Sequence, residues 1–176
     1  DWTKPDAVHT ALTKINLEFH SNHKTGQSEM FLNGENVEYV IRDLVVAEKV
    51  SEVAAIKEVR DFAVNQQQQM GRNKGIVMDG RDIGTVVFPE AELKIFMTAD
   101  KEIRVRRRYQ ELYEKNPNVT MDEVKANLEH RDYIDSHREV SPLRKADDAL
   151  ELDNSNLTIK EQLDRAMGWV KERITS

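Results

Sequence analysis

The chain has 176 residues, a formal net charge of -6 and no cysteine. This length suits one domain with a buried core, and the lack of cysteine excludes disulfides, thiolate metal sites and a cysteine nucleophile. The acidic balance argues against charge-driven binding to nucleic acid, and no apolar stretch approaches the roughly 20 residues of a membrane-spanning helix.

The N-terminal part of the sequence predicts a short helix and then a small antiparallel hairpin. Residues 6–14 follow a proline and suit a helix, whereas residues 15–19 alternate apolar and polar side chains, which is the period of a half-buried strand. A polar stretch separates this run from residues 29–32, which are followed by the turn signal Asn33-Gly34.

Helices and then buried strands are expected next. Between Leu44 and Met70 there is no proline and apolar residues recur at helical spacing, which predicts one or two helices separated near Ala55. The short apolar runs at residues 75–78 and 93–97 are typical of buried strands in a parallel sheet.

Capping residues mark the helices of the second half. Asp100 can cap one helix, and Thr120 with Glu123 forms a capping box that opens a long helix to about Arg138. Residues 149–153 are expected to form a third core strand, so the order of elements indicates the α/β class. A second capping box opens the last helix, whose apolar stripe we expect to be buried: Ile159, Leu163, Ala166, Val170 and Ile174.

The densest group of polar residues directly follows the first predicted parallel strand. Residues 79–84 read Asp-Gly-Arg-Asp-Ile-Gly, and the carboxyl end of a strand is where open α/β sheets bind ligands. Arg81 can fork onto a phosphate, and Asp82 can accept a hydrogen bond from an amino group. The alternative is a surface turn in which Arg81 pairs with a neighbouring aspartate, and spacing alone does not decide between the two.

The segment at residues 79–89, Asp-Gly-Arg-Asp-Ile-Gly-Thr-Val-Val-Phe-Pro, closely resembles the signature of bacterial cytidylate kinases. Shorter matching segments follow in the family's order over nearly the whole chain, at residues 34–37, 51–55, 59–60, 94–96, 131–132, 141–143 and 149–150. The resemblance implies an α/β fold, a P-loop nucleoside-monophosphate-kinase-like parallel sheet flanked by helices, with a small antiparallel β insert in the monophosphate-binding region. It implies one domain, residues 1–176, with three parts: a monophosphate-binding region at 1–70, a core at 71–100 and 145–176, and an arginine-rich lid with its adjoining helix at 101–144.

The resemblance also implies roles for individual residues. Ser51, Arg60 and Asp82 correspond to residues that read the cytosine edge. Arg81 and Arg131 correspond to residues that grip the monophosphate, and Asp135 and Arg138 match positions near the sugar. Without the resemblance, Ser51 would be interpreted as a cap or surface serine and Arg60 as a solvated helix residue.

A cluster of four arginines corresponds to the lid that closes on ATP phosphates: Arg104, Arg106, Arg107 and Arg108. We expect Arg107 and Arg108 to contact ATP and, with Arg81 and Arg131, to neutralise charge during transfer. All four cannot face one ligand from one helix, so at least one is expected to be structural.

The family implies ATP with Mg²⁺ as phosphate donor and CMP or dCMP as the small-molecule substrate. None of the seven glycines is followed by lysine, so the phosphate loop G-x-x-x-x-G-K-[ST] is absent from these residues. The resemblance implies that this loop and the first strand-loop-helix unit lie upstream of Asp1, and we expect the chain alone not to catalyse transfer.

Other interpretations stay open at this point. One alternative is a non-catalytic module that binds cytidine nucleotides; a kinase for UMP or a purine monophosphate, or a structural protein that has lost its site, would fit less well. The histidines lack a recognisable zinc spacing, so no metal site is predicted. The first residues do not form a signal peptide, and we expect a cytoplasmic monomer without nucleic-acid or membrane partners.

Overall fold

The computed structural model describes residues 3–114 and 116–175. They form two compact units. The first unit runs to Gly75 and takes in His130–Val140, and the second consists of Ile76–Glu129 and the chain from Ser141 onward.

The first unit contains a helix, a three-stranded antiparallel sheet and two further helices. The strands are ordered β1-β2-β3, with Leu17 of β1 opposite Leu32 of β2. The bounds are α1 Pro5–Leu12, β1 Leu17–Asn22, β2 Gln27–Leu32, β3 Glu35–Asn36, α2 Leu44–Ala54 and α3 Lys57–Met70. The predicted helix, the hairpin and the break near Ala55 are confirmed.

Local signals explain these boundaries. Asn33 and Gly34 join β2 to β3 with positive φ angles of 52° and 83°, a conformation that asparagine and glycine tolerate best. The backbone of Ile56 is extended, with ψ 124°, and this non-helical residue separates α2 from α3.

The second unit contains a two-stranded parallel sheet and helices. Strand β4 pairs with β5 in parallel, with Ile95 opposite Leu150. The bounds are β4 Ile95–Thr98, α4 Lys101–Tyr113, α5 Met121–His137, β5 Leu150–Asp153 and α6 Ile159–Thr175, and α5 runs on into the first unit. Its buried apolar residues include Val87, Val105, Val124 and Leu152.

The predicted caps of this unit are confirmed. The Asp100 carboxylate accepts hydrogen bonds from the main-chain N–H groups of Glu102 and Ile103, at 2.9 and 3.3 Å. The Thr120 main-chain N–H and hydroxyl both donate to Glu123 Oε2 at 2.8 Å. These bonds satisfy donors that the first turn of a helix leaves without intrahelical partners.

Two predictions about the second unit were wrong. Residues 75–78 do not form a strand: the backbone there has no regular structure, and the Val77 side chain is fully exposed. A strand needs a hydrogen-bonded neighbour, and in the described part of the chain the parallel sheet consists of β4 and β5 alone. The sheet therefore has two strands and not three.

The apolar stripe of α6 is not buried either. Ile159, Leu163 and Ile174 are 86%, 59% and 80% exposed. Ala166 and Val170 are half-buried, so the helical period is present, but no residue of the stripe is fully buried in the described chain. None of the described helices combines the length and the apolar character needed to span a bilayer.

Candidate functional site

Four polar or charged residues are buried in the part of the chain that the structure describes. They are Ser51, Asp82 and Asp135, each 3% exposed, and Arg138, 9% exposed. Each lies at a position that the sequence analysis selected. Because burying a polar or charged group costs free energy unless it gains partners, such positions are often functional.

Three of the predicted residues share one face of α5 and the turn that follows it. Arg131, Asp135 and Arg138 are spaced four and three residues apart, so their side chains lie above one another on the helix. Arg138 Nη1 lies 3.6 Å from Asp135 Oδ1, and only 3% and 4% of the two side chains is exposed. The Arg138 main-chain N–H donates to the Ile134 carbonyl at 2.9 Å, and this hydrogen bond holds the Arg138 backbone against the last turn of α5.

Helices α2 and α3 hold the other predicted residues of the first unit. Ser51 lies on the buried side of α2, and Arg60 is half-buried on α3 with its Nε atom shielded from solvent. His130 Nε2 of α5 lies 4.0 Å from Glu52 Oε1, next to Ser51 in the chain. The first unit therefore presents a hydroxyl, a carboxylate and three arginines from three helices.

In the second unit, Asp82 starts a short π-helical turn at Ile83–Val87. Its main-chain carbonyl accepts from the N–H groups of Thr85 and Val86 at 3.2 and 2.9 Å. This holds the backbone on which the buried Asp82 carboxylate and the half-buried Arg81 stand. Single π-turns recur at functional sites.

Two arginines of α4, Arg107 and Arg108, have partners within the second unit. Arg107 donates from Nη1 to Asn154 Oδ1 and from Nη2 to the Asn154 carbonyl, both at 2.8 Å, and reaches the Ser155 carbonyl at 3.4 Å. Arg108 Nη1 lies 2.8 Å from Glu111 Oε2, one turn along the helix. Arg107 is thus tied to the turn after β5.

A comparison with family models matches residues 1–172 to cytidylate kinases. The chain is 55% identical over 172 residues to a Flavobacterium johnsoniae protein named cytidylate kinase, an alignment that covers 98% of this chain and 75% of that protein. It is 60% identical over 151 residues to the cytidylate kinase of Flavobacterium psychrophilum, covering 86% and 67% of the two chains. For the Bacteroides thetaiotaomicron cytidylate kinase the identity is 55% over 163 residues, with coverages of 93% and 69%.

The chain belongs to the cytidylate kinase family.

The predicted site residues of this cytidylate kinase family member divide between the two units. The first unit holds Ser51, Arg60, Arg131, Asp135 and Arg138. The second holds Arg81, Asp82, Arg107 and Arg108. Within the units the structure brings Asp135 and Arg138 together and places Arg81 directly before the turn that Asp82 begins. The roles implied by the resemblance remain predictions for all nine.

Some residues whose side chains hold parts of the fold in place were missed in the sequence. Asn154, which binds Arg107, belongs to a polar turn whose spacing carries no sign of a partner in α4. Glu38 accepts from the Met30 main-chain N–H at 3.0 Å and pairs with Arg42. The Arg42 side chain and then the Met30 N–H hold the pKa of this carboxyl below its usual value. The contact between Arg107 and Asn154 spans 47 positions, and a chain separation of that size leaves no periodic signal.

An apolar cleft of about 440 Å³ lies on the first unit, but its lining does not suit a nucleotide. It is formed by Val45, Val46, Lys49, Val50, Val53, Ala54 and Val59. A phosphate and a polar base need several donors and acceptors, and these side chains supply one ammonium group. Among the described residues no three histidine, aspartate or glutamate side chains are grouped to hold a metal ion.

Proposed function

We propose that these residues bind the nucleoside monophosphate in a kinase that transfers the γ-phosphate of ATP to CMP or dCMP. The observation that carries the proposal is the coincidence of two independent facts. The buried polar residues of the described chain are Ser51, Asp82, Asp135 and Arg138, and all four match positions that the family resemblance assigns to CMP.

Cytosine recognition would depend on Ser51, Arg60 and Asp82. Cytosine presents an exocyclic amino donor beside ring acceptors, and a carboxylate acceptor, a guanidinium donor and a hydroxyl can satisfy these groups. Uracil presents a carbonyl oxygen in place of the amino group and would face the Asp82 carboxylate with another acceptor. A shielded carboxylate discriminates strongly because water cannot relieve this repulsion.

The monophosphate would be held by Arg81 and Arg131, whose planar guanidinium groups can each make two parallel hydrogen bonds to phosphate oxygens. Asp135 and Arg138 would lie near the sugar. An aspartate carboxylate can accept from ribose hydroxyls, and Asp135 Oδ1 lies 3.6 Å from Arg138 Nη1.

Transfer requires more than recognition. An oxygen of the monophosphate attacks the γ-phosphorus in line, and Mg²⁺ with arginines neutralises the developing charge without an obligatory side-chain base. Arg107 and Arg108 are proposed as the ATP-binding arginines. The sequence contains no phosphate loop, so we propose that these 176 residues bind CMP but do not transfer phosphate by themselves.

The decisive experiment is calorimetric titration with CMP of the wild type and of the Asp82→Ala variant. Loss of one charge-assisted hydrogen bond is expected to weaken CMP binding about tenfold to a hundredfold, with UMP binding weak in both proteins. Glu90→Ala is the matched control, because Glu90 is an exposed carboxylate that follows the same turn. Equal CMP affinity in wild type and Asp82→Ala would reject the role of Asp82, and no CMP binding by the wild type would contradict the proposal.

The same samples, supplied with ATP and Mg²⁺, are then assayed for CDP. Binding without CDP is the expected result for these residues alone. A non-catalytic cytidine-nucleotide module would give the same result, and the lack of a phosphate loop in these residues favours this second candidate. Adding CMP and ATP to the protein as its gene encodes it separates the two, because the kinase forms CDP there and the module does not.

A further inference from the structure

Lys94, directly before β4, has an environment that its place in the fold does not require. Only 8% of its side chain is exposed. Its ammonium group donates to the Pro89 carbonyl and to both carboxylate oxygens of Asp148, at 2.9 and 2.8 Å. Its main-chain carbonyl accepts from the Leu150 N–H at 2.9 Å, which attaches Lys94 to the start of β5.

The stem of Lys94 lies against the π-turn that Asp82 begins. A methyl group built on Gly84 would lie 3.2 Å from Lys94 Cδ and 3.4 Å from Cγ, so the stem lies against the Gly84 backbone. Lys94 therefore touches the middle of the turn with its stem and grips the carbonyl of Pro89, beyond its end, with its ammonium group.

Burying a lysine costs desolvation free energy, and an apolar side chain of similar size usually stabilises a strand as well. What an apolar side chain cannot do is hold a main-chain carbonyl and a carboxylate at once. We propose that Lys94 is a positioning residue for the nucleotide-binding turn: it fixes residues 82–89 so that the Asp82 carboxylate stands where it meets the base. This inference rests on the proposed function of Asp82.

The test compares three variants with the wild type in the protein as its gene encodes it. Lys94→Met keeps most of the stem and removes the ammonium group, and Lys94→Arg keeps a cationic donor. Asp148→Asn is a second route to the same effect that leaves the lysine in place and alters a carboxylate that is 61% exposed. Lys145→Met is the control. Lys145 also pairs with a carboxylate, Glu151 of β5, at 3.1 Å, but its side chain is 41% exposed.

Two properties are measured at a temperature where all variants are folded. The first is amide hydrogen exchange in residues 85–88, whose N–H groups bond to the carbonyls of Asp82 and Ile83. The second is the ratio of CMP to UMP affinity by calorimetry. Lys94→Met is expected to speed exchange in this segment and to lower the CMP to UMP affinity ratio. A decrease of about tenfold to a hundredfold is expected, which is the loss typical when a residue that orients a binding group is removed. Asp148→Asn should have a smaller effect of the same sign, Lys94→Arg should restore most of both properties, and Lys145→Met should change neither.

Unchanged exchange in Lys94→Met would overturn the proposal, since the turn would not depend on the lysine. Faster exchange with an unchanged CMP to UMP ratio would overturn it as well, because Lys94 would then serve stability alone. If the wild type binds no CMP, the proposed function fails, and the exchange measurement still decides whether Lys94 holds the turn.

Discussion

The ion pair between Asp135 and Arg138 is almost shut off from water, with 4% and 3% of the side chains exposed. Removing Asp135 takes this counterion away from an Arg138 side chain that is shielded from water. Asp135→Ala is therefore expected to lower the free energy of unfolding by about 3 kcal/mol, measured by urea denaturation. Asp135→Ala combined with Arg138→Met should cost less than the two single changes together.

Asp164→Ala is the control for that pair, because Asp164 and its partner Lys160 are 61% and 82% exposed. An exposed pair on one helix contributes little, so this change should alter the free energy of unfolding by less than about 0.5 kcal/mol. Equal costs for Asp135→Ala and Asp164→Ala would show that the buried pair is not stabilising.

Arg107 is proposed to bind ATP, and in the structure it binds the turn after β5. Its guanidinium donates to the side chain and the carbonyl of Asn154, both at 2.8 Å. We expect Arg107→Met to lower both the melting temperature and ATP affinity, and Asn154→Ala to lower the melting temperature alone. Thermal denaturation and ATP titration of the protein as its gene encodes it test this, and an Arg107→Met variant with unaltered ATP affinity would leave Arg107 a structural residue.

At the scale of the element, the capping box of α6 couples helix stability to pH. The main-chain N–H of Thr158 and then its hydroxyl hold the pKa of the Glu161 carboxyl below its usual value. A carboxyl whose folded-state pKa is lowered stabilises the fold above its unfolded pKa, about 4.3 for glutamate, and loses that contribution as the pH falls through the lower folded value. Unfolding followed between pH 7 and pH 3 should therefore show less acid sensitivity in Glu161→Gln than in the wild type.

Thr158→Ala tests the same box from the other side. The threonine hydroxyl accepts from the Glu161 main-chain N–H at 3.2 Å, and loss of an N-cap side chain costs about 1 kcal/mol. The loss should be visible at neutral pH, where Glu161→Gln has its largest effect too. A Thr158→Ala variant as stable as the wild type would mean that the first turn of α6 is held by other contacts.

Elements with local signals were predictable from the sequence, and elements that need a distant neighbour were not. The caps at Asp100 and Thr120 depend on residues two or three positions away, so spacing alone revealed them. The apolar run at residues 75–78 has the composition of a strand but pairs with none in the described chain. The composition of a segment indicates that it can form a strand, but a strand forms only where a neighbouring strand pairs with it.

The same distinction applies to the candidate site. Its buried residues could be selected because the motif at residues 79–89 is continuous and the matches around Ser51 and Arg131 follow in order. The contacts around the site could not be predicted in this way. Lys94 binds Asp148, which is 54 positions away in the chain, and Arg107 binds Asn154, which is 47 positions away. Chain separation of that size leaves no pattern in one sequence.

At the scale of the whole molecule, the second unit exposes several large apolar side chains to solvent. Its exposed side chains include Val77 on the irregular segment, Met97 on β4, and Ile159, Leu163 and Ile174 on α6. We expect the folded chain to bind an environment-sensitive hydrophobic dye. Replacing Ile159 and Leu163 with glutamate should reduce dye fluorescence, because these side chains are 86% and 59% exposed.

The melting temperature should change little in the Ile159→Glu/Leu163→Glu variant, since exposed side chains contribute little burial to lose. Lys160→Gln, on the same helix and 82% exposed, is the polar control and should leave dye binding as it is. Lower dye fluorescence at constant melting temperature would mean that α6 presents its apolar stripe to solvent. Unchanged fluorescence with a marked drop in melting temperature would mean instead that the stripe is covered in solution, as its helical period first suggested.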